Sequence, residues 1–145
     1  MKEKRARRAN GFTLVELLIV MVILGLLAAL VGPKFFGKVG KSRQRAAKAQ
    51  ISLFETAIDT YRLDVSKYPT TDMGLEALRE APDDVERWDG PYLPKEIPLD
   101  PWGHEYVYTC PGENGAYDIV SYGGDGNLGG EEEDADIVSW KNIEQ

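Results

Sequence analysis

Three groups of residues have the types and spacing to do chemistry. The first is Glu16, the one charged residue within the apolar run FTLVELLIVMVILGLLAALV at residues 12–31; a carboxylate at membrane depth is costly enough to call for a partner. The second is GGDGNLGGEEEDAD, residues 123–136, where Asp125, Glu131, Glu132, Glu133, Asp134 and Asp136 crowd among turn-forming glycines. Flexible acidic loops of this kind supply the oxygens that a hard cation such as Ca²⁺ needs. Counted from Asp125, the loop places Asn127, Gly130 and Glu133 as an EF-hand would. Gly129 at the fifth position, Asp136 at the twelfth and strand-like flanks make it something else, so a cation site and a plain solvated loop both stand. The third group is negative: His104 and Cys110 are each the only residue of their kind. No histidine cluster exists for zinc, no intrachain disulfide can form, and no Ser/His/Asp grouping is apparent around His104.

The chain that must position these groups has 145 residues and a net charge of -7, enough for one domain and a membrane segment. The charge is divided. Residues 1–48 hold 11 Lys or Arg against two acids, giving +9, and residues 49–145 hold 6 against 22, giving -16.

Twenty residues of helix cover about 30 Å, the thickness of a bilayer core. Residues 12–31 are therefore expected to span a membrane. The leader MKEKRARRANG, with five basic residues and one acid, favours the cytoplasmic side. A second basic group, Lys34, Lys38, Lys41, Arg43, Arg45 and Lys48, follows the run and leaves orientation undecided by charge alone. A cleaved signal peptide shares the basic start, but its apolar core is shorter, at about 7 to 15 residues. Glu16 either sits hydrated or protonated near the headgroups or meets a cation. Cleavage between Gly11 and Phe12 would make one, an α-amino group with a reference pKa of about 7.7 to 8.0.

Beyond the span, Pro33 is expected to kink the helix or let it melt locally. Ala47, Ile51, Phe54, Ile58, Tyr61 and Val65 then recur at helical spacing, predicting a core face, with Lys48, Glu55, Asp59 and Arg62 on the opposite face. If residues 12–64 were one helix it would extend about 80 Å. In YPTTDMGLEALREAP, Thr71 or Asp72 is expected to cap a short helix that turns Leu75 and Leu78 inward. Trp102 and Tyr92, in a proline-rich loop, read as packing anchors. Strands are predicted at 104–109, 116–122 and 136–140. The fold class is α+β, a long helix across a small antiparallel sheet.

The stretch GFTLVELLIVMVILGLLAALVGPKF resembles the class III signal of type IV pilins and pseudopilins. YPTTDMGLEAL, GPYLPKEIPLDPWGHEYVY, PGENGAYDIVSYGGDGNLGG and DADIVSW resemble, across nearly the whole chain, the major pseudopilin family of type II secretion systems. The resemblance implies a type IV pilin-like fold. It divides the chain into a prepilin leader at 1–11, a membrane-spanning and filament-core helix at 12–32, an amphipathic half at 33–65 and a periplasmic globular region at 66–145. It implies cleavage after Gly11 by a prepilin peptidase and N-methylation of Phe12. Glu16 would be an assembly residue meeting a neighbour's new amine. Calcium would be held by the Asp125 side chain, the carbonyls of Tyr122 and Asn127, and carboxylates from Glu132 and from Glu133 or Asp134. The expected partners are further copies of the chain, minor pseudopilins, the inner-membrane assembly platform, the outer-membrane secretin and membrane lipid. The expected place is the bacterial inner membrane, single-pass, with the carboxyl-terminal region in the periplasm. The role implied is structural rather than enzymatic: a filament that drives folded proteins across the outer membrane. A surface type IV pilin is the alternative, although many of those close a carboxyl-terminal loop with two cysteines. A nucleic-acid role is not expected, because the basic stretch adjoins the membrane and the rest is acidic.

Overall fold

The structure, a computed structural model, describes residues 11–143, with the backbone alone at residues 32–38. Most of the expected leader, residues 1–10, lies outside the described residues. The chain divides into two compact units, Met1–Phe36 and Gly37–Gln145.

Helix α1, Leu14–Val65, contributes to both units. It runs as helix through Pro33, so of the two outcomes expected there, a kink or local melting, the melting does not occur. In the first unit, Leu14–Val31 has a mean hydropathy of 3.0 and none of it is buried by the rest of the chain. Such a surface requires lipid or another protein around it.

In the second unit the predicted stripe is the core. Ala47, Ile51, Phe54, Ile58 and Tyr61 have no exposed surface. They pack with Leu75, Leu78, Tyr106, Tyr108, Ile119 and Ile137. The Phe54 ring meets Tyr106 edge-on at 5.1 Å, and Tyr61 meets Tyr92 at 5.5 Å, geometries that suit aromatic quadrupoles. Lys48 departs from the expected outer face. Its ammonium donates to the carbonyls of Val138 at 2.7 Å and Ser139 at 2.9 Å, and partial burial lowers its pKa despite the nearby Glu55. The aliphatic stem lies along the protein while the head ties α1 to the last strand.

Leu75–Leu78 forms a single 3-10 turn with both leucines buried, and no side chain caps it. Thr71, the expected cap, instead exchanges hydrogen bonds with the backbone of Cys110, at 2.8 and 3.0 Å. Strands β1 (Val107–Thr109), β2 (Asp118–Ser121) and β3 (Ile137–Val138) form an antiparallel sheet in the order β1-β2-β3. Val107 pairs with Val120, and Val120 with Val138. The strands are shorter than predicted because polar side chains take over the backbone at their ends. The Asp118 carboxylate accepts the N–H groups of Glu113 and Asn114 at 2.9 and 3.1 Å, closing the turn between β1 and β2 in place of further ladder.

Two neighbours on α1 test this packing. Phe54→Ala should destabilise the folded unit by about 3–5 kcal/mol, whereas Leu53→Ala, one residue away and exposed, should change it by less than about 0.5 kcal/mol. Urea unfolding followed by tryptophan fluorescence would measure both.

Candidate functional site

At the start of α1, Glu16 has a partner that charge counting does not reveal. One carboxylate oxygen, Oε2, accepts the Thr13 backbone N–H and the Thr13 hydroxyl, each at 2.9 Å. The Glu16 N–H in turn meets the Thr13 hydroxyl oxygen at 3.2 Å. This is a capping box, and its Thr-x-x-Glu spacing is visible in the sequence. The helix dipole also favours an anion in the first turn. Both bonds to the carboxylate fall on Oε2. Oε1 accepts no bond among the described residues, which leaves it open to a donor from outside the chain. Gly11 and Phe12 precede the box, with Phe12 86% exposed and nothing within 4 Å of a Cβ placed on Gly11. The peptide bond between them is open to approach.

The acidic loop between β2 and β3 is held against α1 from within the chain. Arg43 donates to Glu133 Oε1 at 2.8 Å, Trp102 Nε1 donates to the same oxygen at 3.2 Å, and the Gln44 amide donates to the Glu132 carbonyl. Gly40 makes this approach possible, since its missing Cβ would stand 3.4 Å from that of Glu133. Within the loop, Asp125 accepts the Asn127 N–H at 3.0 Å and Asp136 accepts the Gly129 N–H at 2.9 Å. The other Asp136 oxygen is buried without a donor. Gly123, at φ 61°, lies so close to the Asp134 carbonyl that a Cβ there would stand 2.6 Å from the oxygen, so a side chain at that position would break the loop. The structure thus brings Glu132, Glu133 and Asp134 beside the turn that starts at Tyr122 and carries Asp125 and Asn127. Among the described residues, no three Asp, Glu, His or Cys side chains converge as a metal-holding group.

A buried polar centre underlies this loop, and the sequence does not announce it. Asp100, 5% exposed, accepts the Ser121 hydroxyl on Oδ2 at 2.6 Å. Its Oδ1 accepts the N–H groups of Trp102 and His104, at 3.0 and 2.8 Å. His104 Nδ1 stands 3.8 Å from Asp100 Oδ2 and 3.2 Å from the Gly123 carbonyl. Burial, with the charge of Asp100 adding to it, pushes the Tyr106 phenol up to about 12. A Ser/His/Asp grouping therefore exists around His104, contrary to the sequence reading. It is wired unlike a nucleophile. The serine hydroxyl gives its hydrogen to the aspartate rather than to the imidazole, and Ser121 has no exposed surface. The centre joins the turn at Asp100, strand β2 and the start of the acidic loop.

An apolar, unburied helix opening on a capped glutamate, joined to a unit in which the same helix packs on a small antiparallel sheet, defines a pilin-like membrane-anchored subunit. Comparison with known proteins narrows the class. Residues 34–140 match the family described as type II secretion system (T2SS), protein G, and residues 6–32 match the prokaryotic N-terminal methylation motif. The chain is 46% identical over 140 residues to the type II secretion system core protein G of Vibrio cholerae serotype O1, covering 94% of this chain and 95% of that one. It is 42% identical to the core protein G of Pseudomonas aeruginosa, covering 94% and 98%. In structure it is similar to the major pseudopilin from the type 2 secretion system of enterohaemorrhagic Escherichia coli, with a TM-score of 0.61 and 35% identity over 72% of this chain and 92% of that one. The chain belongs to the protein G family of type II secretion systems.

Removing the Ser121 hydroxyl tests the buried centre. Ser121→Ala leaves one Asp100 oxygen without its donor and should cost about 1–3 kcal/mol. His104→Ala, at a half-exposed side chain, should cost less; a larger loss from His104→Ala than from Ser121→Ala in urea titrations would show that the imidazole, not the hydroxyl, holds the centre together.

Proposed function

We propose that the chain is processed between Gly11 and Phe12 by a prepilin peptidase, methylated on the Phe12 amine and polymerised into a periplasmic filament. That filament drives folded proteins out through the secretin. The observation that carries this reading is the unburied apolar span Leu14–Val31 entered through a capped Glu16. Lipid solvates the span before assembly, and the same span on other copies replaces lipid afterwards. In the precursor, Thr13 supplies donors to Glu16 Oε2. After cleavage, a neighbour's Phe12 ammonium supplies a charge to Oε1, and a charge-assisted contact in apolar surroundings is stronger than the neutral bonds it joins. The carboxylate then prefers a copy already in the filament over lipid, which gives polymerisation a direction.

The further partners in this reading are minor pseudopilins and an inner-membrane assembly platform, with the carboxyl-terminal region in the periplasm. The role is structural and not enzymatic, in keeping with a buried serine whose hydroxyl faces an aspartate. A surface type IV pilin is the less favoured alternative. The lone Cys110 cannot close a loop, and the match to the protein G family runs through the globular region.

Calcium in the acidic loop is the second part of the proposal. The donor set is all oxygen, as a hard cation requires, and the buried Asp136 oxygen without a donor marks a place where positive charge is wanting. Asp125, Glu132 and Asp134, with the carbonyls of Tyr122 and Asn127, are the residues that would hold the ion. Glu133 has one oxygen engaged by Arg43 and Trp102, so Asp134 is the better candidate of that pair. When bound, the ion would offset the mutual repulsion of the acids and stiffen the segment that leads into β3.

Three experiments test these points. Protein taken from its native membrane should begin at Phe12 and weigh one methyl group more than the 134 residues left when 11 are removed from 145. Glu16→Leu should insert normally and fail to assemble, and normal filaments from that variant would refute the amine pairing. Chelating calcium should lower the melting temperature and speed proteolysis within residues 122–136; an unchanged melt would remove the metal.

A further inference from the structure

Glu133 fastens the acidic loop to its surroundings from several sides. Its Oε1 accepts from Arg43 of α1 at 2.8 Å and from the Trp102 indole at 3.2 Å, and its backbone carbonyl accepts the Gly124 N–H at 3.0 Å. That last bond joins the limb leaving β2 to the limb entering β3. The side chain lies along Gly40, its Cβ, Cγ and Cδ atoms 3.4–3.5 Å from where a Cβ on that glycine would stand. One residue earlier, the Gln44 amide donates to the Glu132 carbonyl, and Glu132 itself has φ 50°. A non-glycine residue keeps such a left-handed conformation when its surroundings impose it. The turn Glu132–Asp134 is thus pinned to α1, while Glu132 and Asp134 stay exposed on either side of the fastening.

Pinning matters to a cation site because no three acidic side chains converge among the described residues. Carboxylates have to be drawn together when an ion binds, and each backbone segment ordered at that moment subtracts from the affinity. Here the two limbs are joined and the turn is already fixed. We propose that Arg43 is a positioning residue for calcium in this loop: through Glu133 it holds Glu132 and Asp134 beside the turn that carries Asp125, and Glu133 is the fastening and not a ligand. Two effects of Arg43 oppose each other. Its charge repels a dication, whereas its bond orders the loop. The Glu133 carboxylate offsets the charge of the guanidinium that it binds. With the two side chains 46% and 41% exposed, water and salt screen what repulsion is left. The ordering, backed by Trp102, Gln44 and Gly124, prevails.

This role rests on calcium occupying the loop, and calcium titrations of the full chain in detergent micelles separate the two. Arg43→Met should weaken calcium binding about fivefold, equivalent to roughly 1 kcal/mol. Glu133→Gln should weaken it at least as much, and the double variant no more than the worse single change, because both substitutions undo one fastening. The rise in melting temperature that calcium produces should shrink in each variant. A tie that served the fold alone would lower the melting temperature equally with and without calcium and leave that rise intact, which would overturn the positioning role. Unchanged or tighter binding by Arg43→Met would overturn it as well and leave the calcium reading standing; tighter binding there, with a loss in Glu133→Gln, would make Glu133 a ligand. If Arg43→Met does not fold, Trp102→Phe, which removes the other donor to the same oxygen, carries the same expectation. A wild-type chain that binds no calcium would overturn both.

Discussion

One helix has to bury apolar surface in two different ways, and the rest of the molecule follows from that constraint. In the second unit the stripe from Ala47 to Tyr61 loses all its exposure to the chain's own sheet and loops. At about 25 cal/mol per Å² of apolar surface removed from water, such burial is the main favourable term available to a domain without a disulfide. Between Leu14 and Val31 the same helix buries nothing against its own chain. That surface can be satisfied only by lipid or by another protein, so the need for an environment outside the chain is part of the sequence. Membrane anchoring and assembly are two answers to one unmet demand.

Polar groups settle where the pieces are fastened. A three-stranded sheet of three, four and two residues has few ladder bonds of its own, and side chains complete it. Lys48 binds α1 to the carbonyls at the end of β3. Asp118 closes the turn between β1 and β2. Asp100 gathers Ser121 and two backbone N–H groups. Each of these charged groups is at least partly withdrawn from water, where a hydrogen bond to an ion is worth more than at the surface. The Arg43 to Glu133 pair is different, being about half exposed on both sides. Exposed pairs of this kind contribute at most about 1 kcal/mol. Its consequence is positional: it holds one acid of the loop against α1 and leaves Asp125, Glu132 and Asp134 on the rest of the loop.

The acidic loop and the amino-terminal box share a logic. In both, an anion is drawn toward the beginning of a segment that must later be held in place, and the chain supplies only part of what the anion needs. Thr13 serves one oxygen of Glu16. Gly129 serves one oxygen of Asp136. The remaining oxygen in each case has no donor among the described residues.

Local periodicity made much of this legible. The span of residues 12–31, the core stripe, the inward-facing Leu75 and Leu78 and the three-stranded sheet all follow from patterns that act over a few residues, because burial repeats at 3.6 or 2 positions whatever lies opposite. Lys48, the capping role expected of Thr71 and the triad around His104 were not legible for the opposite reason. Their partners lie 90, 39 and 19 to 21 residues away, and a side chain's hydrogen-bonding partner depends on which strand end folding places beside it. The sequence by itself determined that an apolar helix with a single glutamate near its start would continue into an amphipathic half, since composition and period suffice for that. Only the tertiary structure decided which polar groups became fasteners and which face of α1 remained open, because those depend on contacts between segments distant along the chain.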